Sequence, residues 1–280
     1  MRVIESPWAP TFREFIGSAR HSLVLAAPFI TAAPLRIVQE SLHSSCLKRI
    51  DILTNFAPSS LISRSCDPRA LAKFASEVPP TRVFHLPGLH AKVYIADGNR
   101  AIVTSANLTA NALYSNTEIG LLVTERHAAS DLATYLDGLA SLSVQLDADQ
   151  LNTLSDVAAD AALQSEAVTD PTRAEVDQAL SRALGVTDEH LRQLRAQRTR
   201  STNSLFAQTI RLSLATGPKS TVDIHAFVQA IHPDICDDSI DRVINGVSFG
   251  LRWKHMVRNA QQYLKRQGTI ELIDNRWSLL

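Results

Sequence analysis

The spacing of apolar and polar residues changes along this chain, and those changes predict its elements. Residues 91–96 alternate like a half-buried strand, Asp97-Gly98-Asn99 is a turn signal, and residues 100–104 form a second strand, so this stretch is predicted to be a β-hairpin. Upstream, residues 11–20 place Phe12, Phe15 and Ile16 at helical spacing. Residues 22–27 read as a buried strand, 31–42 as helix and 48–54 as strand. Asp67-Pro68 opens a helix that runs to Glu77, with proline in the first turn. Residues 81–85 and 118–123 are further strands, and a helix follows at about 128–142. Strands alternating with helices predict an α/β fold with helices on both faces of a mixed sheet.

The hairpin also gathers chemistry. Alternation along a strand puts His90 and Lys92 on one face, and Ser105 and Asn107 on one face of the returning strand. With Gly98-Asn99 as the loop, Asp97 pairs with Arg100, Lys92 lies opposite Ser105, and His90 lies opposite Asn107. With Asp97-Gly98 as the loop, the pairing slides by two residues and the facing side is unchanged; only a slip of one would flip the set. An imidazole, an ammonium, a hydroxyl and an amide are then expected on one patch, a reasonable receptor for a phosphate diester. Asp97 sits about seven residues from His90. At a strand's rise of ~3.3 Å per residue that is too far for direct catalysis, so Asp97 reads as a turn and packing residue.

His90-x-Lys92, four residues, Asp97, then Ser105-x-Asn107 resembles the signature of the phospholipase D superfamily, and Glu118 in Asn116-Thr117-Glu118-Ile119-Gly120 sits where that family carries a carboxylate. The chain departs from the family at Thr104, where glycine usually precedes the serine. The resemblance implies a phospholipase D-like α/β/α sandwich over residues 1–145. It also implies phosphodiester cleavage through a phosphohistidine, with no metal and no cofactor. In that scheme His90 attacks phosphorus, Lys92 and Asn107 bind the phosphoryl oxygens, Ser105 is a secondary donor, and Glu118 holds the imidazole N–H. The family needs two such motifs per site and this chain carries one, so a homodimer pooling His90 and Lys92 from two chains is expected.

Composition narrows the setting. Formal net charge is zero, so any field that draws nucleic acid must be local. Cys46, Cys66 and Cys236 have no metal-ligand spacing and read as reduced thiols of a cytoplasmic protein. No secretory signal and no apolar run of the ~18 residues that span a bilayer are evident, so a membrane role is not expected.

Residues 146–200 are rich in Ala, Leu and charge. Leu151, Leu154, Val157, Ala158 and Ala161 keep a helical rhythm that Pro171 breaks, and residues 172–184 and 187–197 resume it. We read this segment as a helical connector that either docks on a partner or packs on its own domain. Residues 201–280 read as a small separate domain. Helices are predicted at 205–214 and 222–231, and Asp237-Asp238-Ser239 is expected to cap a third running to about Asn245. A strong basic helix covers 252–267, with Trp253, Met256, Val257, Ala260 and Leu264 as its buried stripe. Residues 269–280 form a terminal hairpin. This order resembles a winged helix of the kind appended to restriction and helicase-associated proteins. From Arg242 to Gly268 there are six Lys or Arg and no Asp or Glu, so that helix lacks any acidic counterweight. Arg252, Lys254, His255, Arg258, Asn259, Gln262 and Lys265 are the candidate DNA contacts, the cations for phosphates and the amides for base edges.

Three functions fit these readings. The first is a homodimeric DNA endonuclease of restriction or antiviral-defence type, with a helicase or methyltransferase as a candidate partner. The second is a lipid phosphodiesterase of phospholipase D type. The third is a non-catalytic DNA-binding subunit of a defence complex.

Overall fold

The computed structural model describes residues 1–42, 47–166 and 201–280, with 181–182, 185–186, 189–191 and 193 between them. Cys46 and most of the helices expected at 172–184 and 187–197 lie outside the described residues. Contacts divide the chain into two units, Met1–Ala196 and Gln197–Leu280.

The first unit is built on an eight-stranded mixed sheet. Its strands are β1 (Arg2–Glu5), β2 (Ser22–Ala26), β3 (Arg49–Thr54), β4 (Thr81–His85), β5 (Val93–Ala96), β6 (Arg100–Thr104), β7 (Ile119–Val123) and β8 (Val144–Leu146), in the spatial order β1-β7-β6-β5-β2-β3-β4-β8. β2, β3 and β4 run parallel, and the remaining neighbours pair antiparallel. The helices are α1 (Trp8–Gly17), α2 (Ala32–Ser41), α3 (Pro58–Ile62), α4 (Pro68–Glu77), α5 (Ala110–Tyr114), α6 (Arg126–Leu142) and α7 (Ala148–Glu166). Phe12, Phe15 and Ile16 of α1 are buried with Leu23, Leu25, Tyr94, Ile102 and Leu122 from alternate strand positions. α6 packs on β5 and β6. The α/β fold with a mixed sheet stands as the sequence predicts, and Asp67 caps α4 by accepting from Ala70 N. β1, β8, α3 and α5 are not foreseen; each is only three to five residues long, too short to show a period.

α7 packs on α3 and α4, and its Leu151, Leu154 and Ala158 join the same core. Asp51 of β3 is fully buried and its carboxylate is clasped by Arg82 through two 2.8 Å hydrogen bonds and by Arg49. Arg49 also reaches Asp137, tying α6 to the sheet.

The register of the central hairpin corrects the sequence expectation. Ala96 pairs with Arg100 and Val93 with Val103, so the loop holds three residues, not two. Asp97 and Gly98 take left-handed φ values of 54° and 64°. Asp97 is drawn out of the strand because its carboxylate accepts from the backbone N–H of Arg20, His21 and Ser22 at 2.7–3.1 Å. Burial alone would raise its pKa, but those three donors outweigh it and hold the carboxyl below its usual range. The one-residue slip puts Thr104, not Ser105, opposite Lys92, and Thr104 N donates to Lys92 O at 3.1 Å.

The second unit comprises α8 (Thr202–Leu214), α9 (Thr221–Ile231), β9 (Asp241–Ile244), β10 (Val247–Leu251), α10 (Arg252–Arg266), β11 (Ile270–Ile273) and β12 (Arg276–Leu279). Phe206, Ile210, Val228, Trp253, Val257 and Trp277 lie in its core. Lys219 and Trp277 exchange backbone hydrogen bonds of 2.8 and 3.0 Å, fastening the start of α9 to the terminal hairpin. The third helix expected from Asp237 to Asn245 is instead a hairpin, β9–β10. Asp237 accepts from Ser239 N and Oγ, and Asn245 and Gly246 take φ of 50° and 81°, the tight turn that β-branched Val243, Ile244 and Val247 favour over helix.

Candidate active site

Antiparallel pairing brings the start of β5, the end of β6 and the start of β7 to one edge of the sheet. Continuing the observed registers, Lys92, Thr104, Gly120 and Ile4 form one cross-strand row, and His90, Glu118 and Ser6 lie just beyond it at the same end of the sheet. His90 and Ser105 are exposed, whereas Lys92, Asn107 and Glu118 are half-buried. The parallel ends of β2, β3 and β4 point to the same edge. There Leu108 N donates to Phe29 O at 3.1 Å and Thr31 N to Leu108 O at 2.9 Å, anchoring the loop that carries Asn107.

Lys92 Nζ donates to His90 O at 2.9 Å and lies 3.3 Å from His90 Nδ1. Burial lowers the Lys92 pKa, and the charge of Glu118 pulls it partly back. Thr104 ends its strand by bending the chain: its Oγ1 donates to Ile119 O and accepts from Ala106 N, both at 3.0 Å. That bend lets Ser105 turn back and donate its hydroxyl to Glu118 Oε2, although strand alternation alone would send it to the opposite face. The other Glu118 oxygen accepts from Asn116 Nδ2 at 3.0 Å. Glu118 N donates to Ser6 Oγ at 2.7 Å, and that hydroxyl lies 2.9 Å from Asn116 O. The carboxylate expected to hold the His90 imidazole therefore has Ser105 and Asn116 as its hydrogen-bond partners. Asn107 Oδ1 is buried without a hydrogen-bond partner among the described residues.

The structure thus gathers His90, Lys92, Ser105 and Glu118, and it adds Thr104, Asn116 and Ser6. Asn116 reads from sequence as a loop-shaping residue only. Ser6 gives no sequence signal at all, because its partner lies 112 residues away. Gly120 is required by packing: a Cβ there would meet Trp8 at 2.9 Å and both Thr104 and Val103 at 3.0 Å. His85 is a core residue that accepts from Phe56 N at 3.2 Å. Tyr94 fills the core and donates to Ala106 O at 2.7 Å; burial first, then the charge of Glu118, pushes its phenol well above the ordinary value. Among the described residues no cluster of three or more His, Cys, Asp or Glu could hold a metal. No described helix is long and apolar enough to cross a membrane.

On α10 of the second unit, Trp253, Val257, Ala260 and Leu264 are buried as expected, and Met256 packs partly buried against them. Arg252, Arg258, Asn259, Gln262 and Lys265 are exposed. Lys254 is half-buried, its Nζ 5.4 Å from the Trp253 ring. His255 Nε2 donates to Phe249 O at 2.8 Å and its Nδ1 lies 3.3 Å from Arg242 Nη1, so it ties the helix to β9–β10.

The fold and the row of polar side chains define a phospholipase D-like domain. Residues 12–140 match the family described as cardiolipin synthase, PLD-like domain, and this part of the chain is similar to the phospholipase D superfamily, a group of phosphodiesterases and phosphatidyl transferases. Solved structures with similar folds include NucT from Helicobacter pylori, at 21% identity and TM-score 0.40, covering 48% of this chain and 91% of that one. Another is the phospholipase D family member Nuc from Salmonella typhimurium, at 15% identity and TM-score 0.41, covering 52% and 97%. A third is the phosphatidylserine synthase of Haemophilus influenzae, at 12% identity and TM-score 0.43, covering 70% and 44%. No curated protein matches the sequence.

Proposed function

We propose that this chain cleaves phosphodiester bonds in DNA as a homodimer, through a phosphohistidine. One observation carries the reading: a single imidazole, an ammonium and a carboxylate share one sheet edge, a set that suits in-line attack at phosphorus but lacks a second acid. In the proposed cycle, His90 of one chain attacks phosphorus and a P–N bond forms. The P–O bond breaks, and its electron pair leaves with an oxygen protonated by His90 of the partner subunit. That second imidazole then takes a proton from water, the water oxygen attacks phosphorus, and the P–N bond breaks to restore the first histidine. Lys92 and Asn107 bind the phosphoryl oxygens. Glu118, fixed by Ser105 and Asn116, stabilises the charge that develops on the imidazole and on Lys92.

The opposite face of the same strands is apolar and uncovered, which suits a subunit contact separate from the one that would join two His90 edges. On the face of β1, β7 and β6 opposite Lys92, and one residue back from its row, Val3, Leu121 and Val103 make a cross-strand apolar row. Val3 is 60% exposed and neighbouring Ile119 is 63% exposed. Uncovered apolar surface of this kind at the corner of a sheet suits burial between subunits.

The second unit supports nucleic acid over lipid as the substrate. Its helix order, basic α10 and terminal β11–β12 hairpin suit a winged-helix module that presents Arg258, Gln262 and Lys265 to DNA. A cutting domain joined to a DNA-reading domain is the division of labour of a restriction-type endonuclease.

The test uses plasmid DNA and phosphatidylcholine in parallel, with EDTA throughout. DNA cleavage that survives chelation and disappears in His90→Ala supports the proposal; choline release, or inertness toward both substrates, refutes it. Mixing equal amounts of wild-type and His90→Ala chains before assembly tests the shared site. If each site uses both imidazoles, activity falls to about a quarter of that from all-wild-type chains; chains acting alone retain about half.

A further inference from the structure

We infer that the β9–β10 hairpin is a second nucleic-acid contact, one that inserts apolar side chains between bases while α10 holds the phosphates. The inference rests on the DNA reading of the second unit and adds a role to a segment outside the site described above.

Three observations lead to it. All ten residues from Asp241 to Gly250 are exposed, and they include Val243, Ile244, Val247 and Phe249, each at least 42% exposed. Two-stranded hairpins are marginal in water, and apolar side chains on both strands make free exposure costlier. Second, apolar residues cluster at the tip. Ile244 pairs with Val247 beside the Asn245-Gly246 turn and Arg242 shares their face, Val243 pairs with Ser248 on the other face, and Phe249 follows where the register shifts beyond Ser248. Third, the root is fixed to the basic helix. His255 of α10 bonds to Phe249 O and sits against Arg242, and Arg252 N donates to Ile240 O at 2.9 Å.

Charge selects the occupant. Asp238 and Asp241 at the root are engaged by Trp253 Nε1 at 2.8 Å and by Ser248 Oγ at 2.5 Å. From Arg242 through α10 the only charged side chains are cationic. An apolar tip whose own Arg242 and following helix supply only cations fits a partner that is anionic outside and apolar within. A base stack behind its phosphates has that order, and apolar wedges entering base steps are an established way of kinking or opening a duplex. Asn259 and Gln262, exposed on the neighbouring helix, add groups suited to base edges rather than lipid headgroups.

The experiment uses the full-length His90→Ala chain, which does not cut its probe, and a duplex carrying 2-aminopurine, whose fluorescence rises when the base unstacks. Binding should raise the fluorescence severalfold. Ile244→Ser with Phe249→Ser should abolish that rise and weaken binding about tenfold, while the salt dependence set by α10 stays unchanged. These residues are exposed, so polar replacements do not threaten the core; circular dichroism and Asn245→Ala, which strains the turn alone, serve as a second check. Duplex binding with no fluorescence rise, or a rise that survives in the double variant, refutes the hairpin inference and leaves DNA binding by α10 standing. Absence of DNA binding by the parent chain removes both. Phosphatidylglycerol vesicles form the parallel arm: vesicle binding lost in the double variant, with duplex unstacking unaffected, overturns the proposal in favour of a membrane. Loss of dimerisation in that variant overturns it in favour of a self-contact.

Discussion

Replacing Gly120 by alanine should destabilise the first unit and disturb the site together. The added Cβ would lie 2.9 Å from the Trp8 ring, 3.0 Å from Thr104 Cβ and 3.0 Å from Val103 O. Ordinary contact begins near 3.4 Å, so about half an ångström must be found. Trp8 is wholly buried, and the other two atoms belong to β6, paired on both sides. None is the free end of a flexible chain. Alanine gains about 0.8 kcal/mol from a buried methyl and about 0.4–1 kcal/mol from a stiffer unfolded chain. Overpacking costs about 1–3 kcal/mol per site and three rigid contacts put this one at or beyond the upper end, so a net loss of about 1–2 kcal/mol is expected. For a unit of this size that lowers the melting temperature by about 2–8 °C. The displaced atoms include Thr104, whose hydroxyl sets the bend that brings Ser105 to Glu118. Phosphodiesterase activity on a small diester should therefore fall about tenfold even well below the transition. Gly98→Ala is the contrast: nothing lies within 4 Å of its Cβ, and its φ of 64° costs only about 1 kcal/mol of local strain, with activity retained. Differential scanning calorimetry and a chromogenic diester measure both effects. A Gly120→Ala chain as stable and active as the parent would refute the packing argument.

Three further outcomes are expected. Asp97→Ala removes the acceptor for three backbone N–H groups and should cost about 1–3 kcal/mol, yet leave kcat/KM on a small diester within about threefold; a large loss of rate in stable protein would make Asp97 part of the chemistry. His225 is held at about 4, by burial first and then by Arg258 and Lys254, against about 6.5 in the unfolded chain. Its neutral form therefore favours the fold above pH 6.5, and that stability is lost as pH falls from 6.5 toward 4. After allowance for solvent screening the loss is on the order of 2 kcal/mol. Urea unfolding monitored by Trp253 and Trp277 should show it in the parent and not in His225→Phe, and equal parent stability at pH 4.5 and 7 would refute the assignment. Finally, Arg258→Ala should reduce the slope of log affinity for duplex against log salt by about 1 without changing cleavage of a small diester. An unchanged slope, shared by Lys254→Ala, would remove the basic face of α10 from the DNA contact.

The amino-acid order alone determined the elements that carry long periods. The helix at α1 announced its buried face through Phe12, Phe15 and Ile16, and α10 did so through Trp253, Val257, Ala260 and Leu264. The motif from His90 to Glu118 is local enough in sequence to be read as a set, and Asp97 was legible as a turn residue because strand geometry limits its reach. Tertiary structure decided the rest. The register of β5 against β6 depends on Asp97 binding three backbone groups more than seventy residues upstream, a contact no local pattern encodes. That slip gave Lys92 a new neighbour, Thr104, and left Ser105 to reach Glu118 through a bend. The partners of Glu118 come from the sheet edge, where β1 places Ser6 from the far end of the chain. The segment before α10 turned from expected helix to hairpin because two left-handed residues and β-branched neighbours outweighed a polar cap. Periodicity follows from the geometry of a single element and is therefore written locally. Register and hydrogen-bond partnership are set by whichever distant groups the fold brings within 3 Å.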